Sequence, residues 1–216
     1  MFCFNELDGV RIITSEHTYF LELVQDSLKQ TFMLASIAPS AQLHNAQKSV
    51  EQGHPKADEI ITILEREEKL IEGIETLMHA AEYEHKDIDV LKHLLQTAAF
   101  AKKFVEPSKM DPNKYVDIVK FSIVLTKLRN STKLSRAITF HQMKAFKPKN
   151  LLPLLLKYRD FALATMVVEM LRLDKLNLVY EEWCIQMLRY STQSENVLIE
   201  KFKEKFENLA AKVAID

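Results

Sequence analysis

The stretch from Asp87 to Val105 constrains this chain more than any other. Ile88, Leu91, Leu95 and Ala98 form one apolar stripe at helical spacing, and Leu94, Ala101 and Val105 form a second beside it. An arc that wide exceeds what a single-sided surface helix needs, so the helix must be covered on two sides. Ala98, Ala99 and Ala101 leave little side chain over its C-terminal half, which lets a neighbour come close. Asp87 or Asp89 can cap the first turn, and Lys102 and Lys103 suit the negative end of the helix dipole. Nothing along it resembles a nucleophile or a ligand set. It reads as the interior helix of a stacked array.

Composition points the same way. Three glycines in 216 residues is far below the usual ~7 %, which disfavours Rossmann, P-loop and mainly β domains, all of which need glycine at turns and phosphate cradles. A net charge of −1 offers no general basic surface for phosphate backbones, so no nucleic acid is expected as partner. Cys3 and Cys184 lie at opposite ends of the chain and read as reduced thiols. No apolar run approaches the ~20 residues of a membrane span, and the first residues lack the charged and apolar regions expected of a signal peptide. The expected location is cytoplasmic, with membrane contact made indirectly through partners.

The strand signal lies at the start, where Phe2 to Leu7 and Val10 to Thr14 flank Asp8-Gly9, a dipeptide favoured in two-residue hairpin turns. Counting outward places Glu6 opposite Arg11 and Phe4 opposite Ile13. From Asp26 onward the pattern is helical. Leu28, Phe32, Ala35 and Ile37 predict a short helix ending at Pro39, and Ser40 to Gln52 a second with Leu43, Ala46 and Val50 inward. Lys56 to Glu84 carries a seam of threes and fours (Ala57, Ile60, Leu64, Glu67, Ile71, Ile74, Met78, Ala81) that predicts a long helix laid along its neighbours. Asn113 is the expected cap of the next helix and Thr139 that of Phe140 to Phe146. Asn150 to Tyr158, with Pro153 in its first turn, is followed by an antiparallel pair, Phe161 to Leu171 and Leu178 to Tyr190. A last helix begins near Ser194. The total is a hairpin and about nine helices without the fixed period of tetratricopeptide or ankyrin arrays.

Several pieces, in this order, resemble one family. Asp8-Gly9-Val10-Arg11-Ile12-Ile13, Ala35 to Ala41, Ala46-Gln47-Lys48, Lys56 to Glu59, Ala80-Ala81 with Glu84-His85, Leu94 to Lys102 and Ala137 to Gln142 are together similar to the vacuolar protein sorting-associated protein 16 family, class C subunits of the HOPS and CORVET tethers. The resemblance covers roughly residues 6 to 190. It implies an N-terminal β-propeller whose last hairpin is residues 1–15, followed by the first part of an α-solenoid over 26–216. It also implies a scaffold subunit of endosome-to-vacuole or lysosome tethering and fusion, peripheral on those membranes, whose partners are the other class C subunits. The contact with the Sec/Munc-type subunit is expected outside this segment.

Chemistry is scarce. Glu51 with His54 and Glu82 with His85 have the Glu-x-x-His spacing of di-iron bundles, but Gly53-Pro55 and Lys86-Asp87 break both helices at the histidine. His79, His93 and His141 read as solvated or capping side chains, and Trp183 with Cys184 and Met187 as core. No catalytic residue, metal site or cofactor is expected. The fold class expected is all-α, an irregular α-solenoid of stacked helix pairs behind a short N-terminal β-hairpin. On the last helix Leu198, Phe202, Phe206 and Leu209 form a narrow apolar stripe, the candidate protein-contact patch. A generic helical adaptor or coat-like solenoid that binds cargo peptides is the other reading of the same architecture.

Overall fold

The computed structural model describes residues 1–84, 87–133 and 138–213, and all of their side chains except those of Pro112, Pro148 and residues 208–213. Three strands come first: β1 (Phe2–Asn5), β2 (Gly9–Ile13) and β3 (Thr18–Glu22), an antiparallel sheet in the order β1-β2-β3. The third strand adds to the hairpin read from the sequence. The register also differs from the count above, because Phe4 pairs with Arg11 and Phe2 with Ile13. Leu7-Asp8 forms the turn, closed by Glu6 N–H donating to the Gly9 carbonyl at 2.8 Å. Gly9 is required by close approach: a Cβ there would lie 2.5 Å from the Leu21 carbonyl oxygen and 2.7 Å from the Phe20 ring. The strand β3 that needs this space gave no signal in the sequence.

Eleven α-helices follow among the described residues: α1 (Asp26–Phe32), α2 (Pro39–Glu51), α3 (Lys56–Arg66), α4 (Leu70–Tyr83), α5 (Ile88–Ala101), α6 (Pro112–Arg129), α7 (Phe140–Phe146), α8 (Pro148–Lys157), α9 (Phe161–Met170), α10 (Leu176–Tyr190) and α11 (Glu195–Val213). The fold is all-α, an irregular α-solenoid headed by a small antiparallel sheet. The chain divides into two compact units, residues 1–130 with 136–146 and residues 131–135 with 147–216.

In the first unit α5 is the interior helix its arc demands, packed by α4 and α2, with Leu91, Leu94, Thr97, Ala98 and Ala101 buried. Asp87 is its cap, accepting from the Asp89 and Val90 amides at 2.8 and 3.2 Å. The core there is formed by fully buried Leu43, Leu64, Ile74, Leu77, Leu94 and Leu128, each stabilising by roughly 1.5–3 kcal/mol on leaving water. Gly73 on α4 lets α2 approach, since a Cβ there would meet the Leu43 side chain at 2.7 Å and the Pro39 backbone at 3.1 Å. In the second unit α8, α9, α10 and α11 each pack on the next, around Leu151, Leu152, Leu155 and Val167.

Five further expectations fail. The predicted long helix is two, α3 and α4, because Glu68 takes φ +56° and closes α3: its amide bonds the Glu65 carbonyl at 3.1 Å and the Lys69 amide the Leu64 carbonyl at 2.9 Å, the paired bonds of a Schellman stop. Helix α1 is shorter than its apolar residues suggested and turns its polar side inward. Ser27 and Thr31 are buried while Phe32 and Ile37 are exposed, because Thr31 meets Ser40 at 3.1 Å and Ser27 meets His79 at 3.1 Å. Val50, expected inward, is half exposed at the end of α2. The cap of α6 is Asp111, which accepts from the Asn113 amide at 2.9 Å and leaves Pro112 as the first helical residue. Helix α8 likewise starts at Pro148, which puts Pro153 in its second turn.

Candidate interaction sites

The candidate patch lies on α11. Leu198 is buried, and Phe202 is half-buried with its ring edge-on to Trp183, 5.6 Å between centroids. Lys205 holds its ammonium 5.7 Å from the Tyr180 ring. A pocket of about 200 Å³ between α9, α10 and α11 is lined by Phe161, Val179, Trp183 and Lys205. Phe206 points outward, 42 % exposed, and Val197 and Ile199 near the start of the same helix are exposed too. The Leu209 side chain lies outside the described residues. The patch thus separates into residues that seat α11 on α10, namely Leu198 and Phe202, and the outward Phe206. Trp183 is the receiving surface, as its apolar neighbours suggested, and burial pushes the adjoining Cys184 thiol above its ordinary pKa.

A second cluster ties the sheet to the helices of the first unit. Gln142 Nε2 on α7 donates to Glu6 Oε2 at 2.6 Å and to Asp8 Oδ1 at 2.8 Å, and Thr139 Oγ1 donates to Asp8 Oδ2. Thr139 and Gln142 also form a reciprocal capping box: the Gln142 amide donates to Thr139 Oγ1 at 3.1 Å and the Thr139 amide to Gln142 Oε1 at 3.4 Å. The Asp8 carboxylate therefore sits at the positive end of α7. Arg11 donates to Glu6 from Nε and, at 3.0 Å, from Nη2. That hydrogen bond, with the guanidinium charge and Gln142 behind it, holds the Glu6 carboxyl below its ordinary value of 4.5 against the opposing effect of burial.

Of the three histidines read as solvated or capping, His79 is exposed and meets Ser27, whereas His93 and His141 are half-buried packing groups. His141 stacks on Tyr83 with centroids 4.2 Å apart, and its buried Nε2 has no hydrogen-bond partner among the described residues. Burial holds its imidazole below 6.5, with the Glu82 and Asp8 carboxylates pulling the other way. His44 sits edge-on to both Phe32 and His93 and is lowered likewise, by burial first and by His93 second. His54 lies in the break after α2, while Glu51 accepts from Gln47 at 2.9 Å; His85 lies outside the described residues. Among the described residues no group of three or more His, Cys, Asp or Glu is placed to hold a metal, and no helix is long and apolar enough to cross a membrane.

Sequence reasoning did not find an apolar groove of about 570 Å³ where the sheet hands over to the helices, lined by Leu23, Val24, Phe32, Met33, Tyr83 and Val90. Its signal was the run of apolar residues around α1, read above only as a short helix.

Residues 1–117, the sheet through α5 and the start of α6, match the family model described as Vps16, N-terminal region. The chain belongs to the Vps16 family. Among its relatives, the vacuolar protein sorting-associated protein 16 homolog of Drosophila melanogaster is 29 % identical over 208 residues, 96 % of this chain and 24 % of that protein. Protein VACUOLELESS1 of Arabidopsis thaliana is 25 % identical over 202 residues, 94 % of this chain and 23 % of the relative. Vacuolar protein sorting-associated protein 16 of Saccharomyces cerevisiae is 25 % identical over 93 % of this chain and 24 % of its own length. This Vps16-family chain thus spans about a quarter of the length of those relatives. Two of the segments that carried the resemblance, Asp8 to Ile13 and Ala137 to Gln142, supply Asp8, Arg11, Thr139 and Gln142 to the cluster that joins sheet and α7.

Proposed function

We propose that this chain is a non-catalytic scaffold segment of a membrane-tethering complex of the HOPS and CORVET type, acting in vacuolar protein sorting and in endosome-to-vacuole or lysosome fusion. The observation that carries this reading is membership of the Vps16 family over more than half the chain, supported by relatives named for vacuolar sorting in fly and yeast. Its mechanism is geometric. Helices that pack chiefly on their sequence neighbours present lateral surface to other proteins and hold bound modules at fixed separations.

In this reading the sheet is the end of a propeller blade and the helices open the solenoid. No strand residue is buried, which is how a blade looks without the blades that normally cover its faces. The outward Phe206 of α11 is the contact offered to the other class C subunits, and it is through them that the chain is peripheral on late endosome, vacuole or lysosome membranes. Affinity purification of the full chain from endosomal lysate tests this. Recovery of the other class C subunits is expected; recovery of cargo tails or coat components in their place would favour a generic helical adaptor.

A further inference from the structure

A near-neutral net charge conceals a strong local imbalance. Between Asp117 and Asp160 there are ten lysines and arginines and no aspartate or glutamate. In the second unit part of this run is drawn together at the C-terminal end of α8. Lys157 and Arg159 are exposed there. Lys133 Nζ donates to the Arg159 carbonyl at 2.6 Å, which fixes a third cation at the same place. The Arg159 guanidinium lies 4.2 Å over the Tyr190 ring, which brings in the end of α10, where Arg189 is also exposed. Arg159 holds φ +56° as the Schellman stop of α8, its amide bonding the Leu156 carbonyl at 2.9 Å, so its position is set by backbone.

The adjacent carboxylate offsets one of the four charges and forms no ion pair with them among the described residues. Asp160 is turned to its own helix, accepting from Ser131 Oγ at 2.7 Å and from the Leu163 amide at 3.4 Å. Among the described residues no salt bridge joins Lys133, Lys157, Arg159 or Arg189 to a carboxylate. Two aromatic side chains stand between the cations: Tyr158 is 42 % exposed and Tyr190 62 % exposed.

We propose that this cationic and tyrosine-bearing end of α8 and α10 binds the anionic leaflet of a lipid bilayer directly. Lysine and arginine heads reach lipid phosphates, while tyrosine rings settle at headgroup level with the hydroxyl in water. An acidic peptide would meet the charges but has no use for two exposed rings among them, so the bilayer is the better fit. The inference goes beyond the tethering reading, which brings the chain to membranes only through its partners.

Vesicle flotation of the full chain tests it, with pure phosphatidylcholine and mixed phosphatidylcholine–phosphatidylserine vesicles at low and high salt. Binding to the mixed vesicles alone, released by salt, is expected. Lys157→Glu with Arg159→Glu should weaken it by more than about thirtyfold, since each cation near such a surface contributes about fivefold. Lys48→Glu with Lys103→Glu makes the same change in net charge at exposed sites of the first unit and should leave most of the binding. Tyr190→Ser should weaken binding with the charge unchanged, and melting by circular dichroism shows that each variant folds. Failure to bind mixed vesicles, equal loss in both charge variants, or salt-sensitive binding of a soluble poly-glutamate peptide with none to vesicles would overturn the proposal. Because the vesicles carry no protein, each of those results leaves the recovery of class C subunits untouched.

Discussion

Thr139 acts in two directions at once. Its hydroxyl accepts from the first turn of α7 and donates to Asp8 in the turn between β1 and β2, so one side chain both starts a helix and holds the sheet. Replacing it with valine keeps the shape and removes both bonds. The expected loss is about 1–2 kcal/mol, read from urea unfolding, together with faster proteolysis near Leu23; an unchanged midpoint would remove the cluster's structural role. His141 sets a different dependence. Its folded-state pKa lies below the ordinary 6.5, as does that of His44, so as pH falls below about 6.5 the unfolded chain takes up protons that the folded one refuses. Stability is therefore full above that value and declines toward pH 5. The groups facing His141 are Tyr83, Phe140, His79, Glu82, Asp8 and Lys144. His141→Phe should flatten part of this decline in a series of melting temperatures, while leaving the further loss below pH 4.5 that follows from the depressed Glu6. A melting temperature that is level from neutral pH to about pH 5.5 would contradict the account.

Helix ends are where sequence and structure part company. The periodicity of threes and fours located nearly every helix, because burial of one face is what pays for a helix in a stack, and the wide arc of α5 was legible as an interior position. The stops were not. Glycine closes α2 at Gly53, but Glu68, Arg159 and Arg172 take the same left-handed conformation at the ends of α3, α8 and α9, and charged residues give no punctuation to read. This also accounts for a chain with so few glycines and so many short helices. Glu68→Gly and Arg172→Gly should each raise stability by about 0.5–1 kcal/mol in thermal unfolding; a loss would mean that those side chains are held by contacts worth more than the strain. Likewise the α11 stripe was visible, but only the Trp183 contact distinguishes its members. Phe202→Ser should lower stability by about 1–3 kcal/mol, whereas Phe206→Ser should leave the melting temperature nearly unchanged. Equal effects would contradict the placement of α11 on α10. The third strand and the groove beside it escaped notice because their residues, Tyr19, Leu21, Leu23 and Val24, stay exposed and so leave no period of burial to detect.

At the scale of the whole chain, a small sheet precedes two sets of helices, each set with its own core. Family membership was legible from short ordered segments because several of them perform fixed tasks in the structure. Asp8, Arg11, Thr139 and Gln142 join sheet to α7, and Leu94, Ala98 and Ala101 line the interior helix. The surface proposed to meet other proteins left a fainter trace, since an exposed side chain such as Phe206 is constrained only by what comes to cover it. The proposed role of this chain is to be held by the other subunits of a tether. Mixing the purified full chain with purified class C subunits and reading the mass by size-exclusion chromatography with light scattering tests that claim most directly. A co-eluting complex that Phe206→Asp disrupts is the predicted result; separate elution of the wild-type chain at micromolar concentrations of every subunit would contradict it.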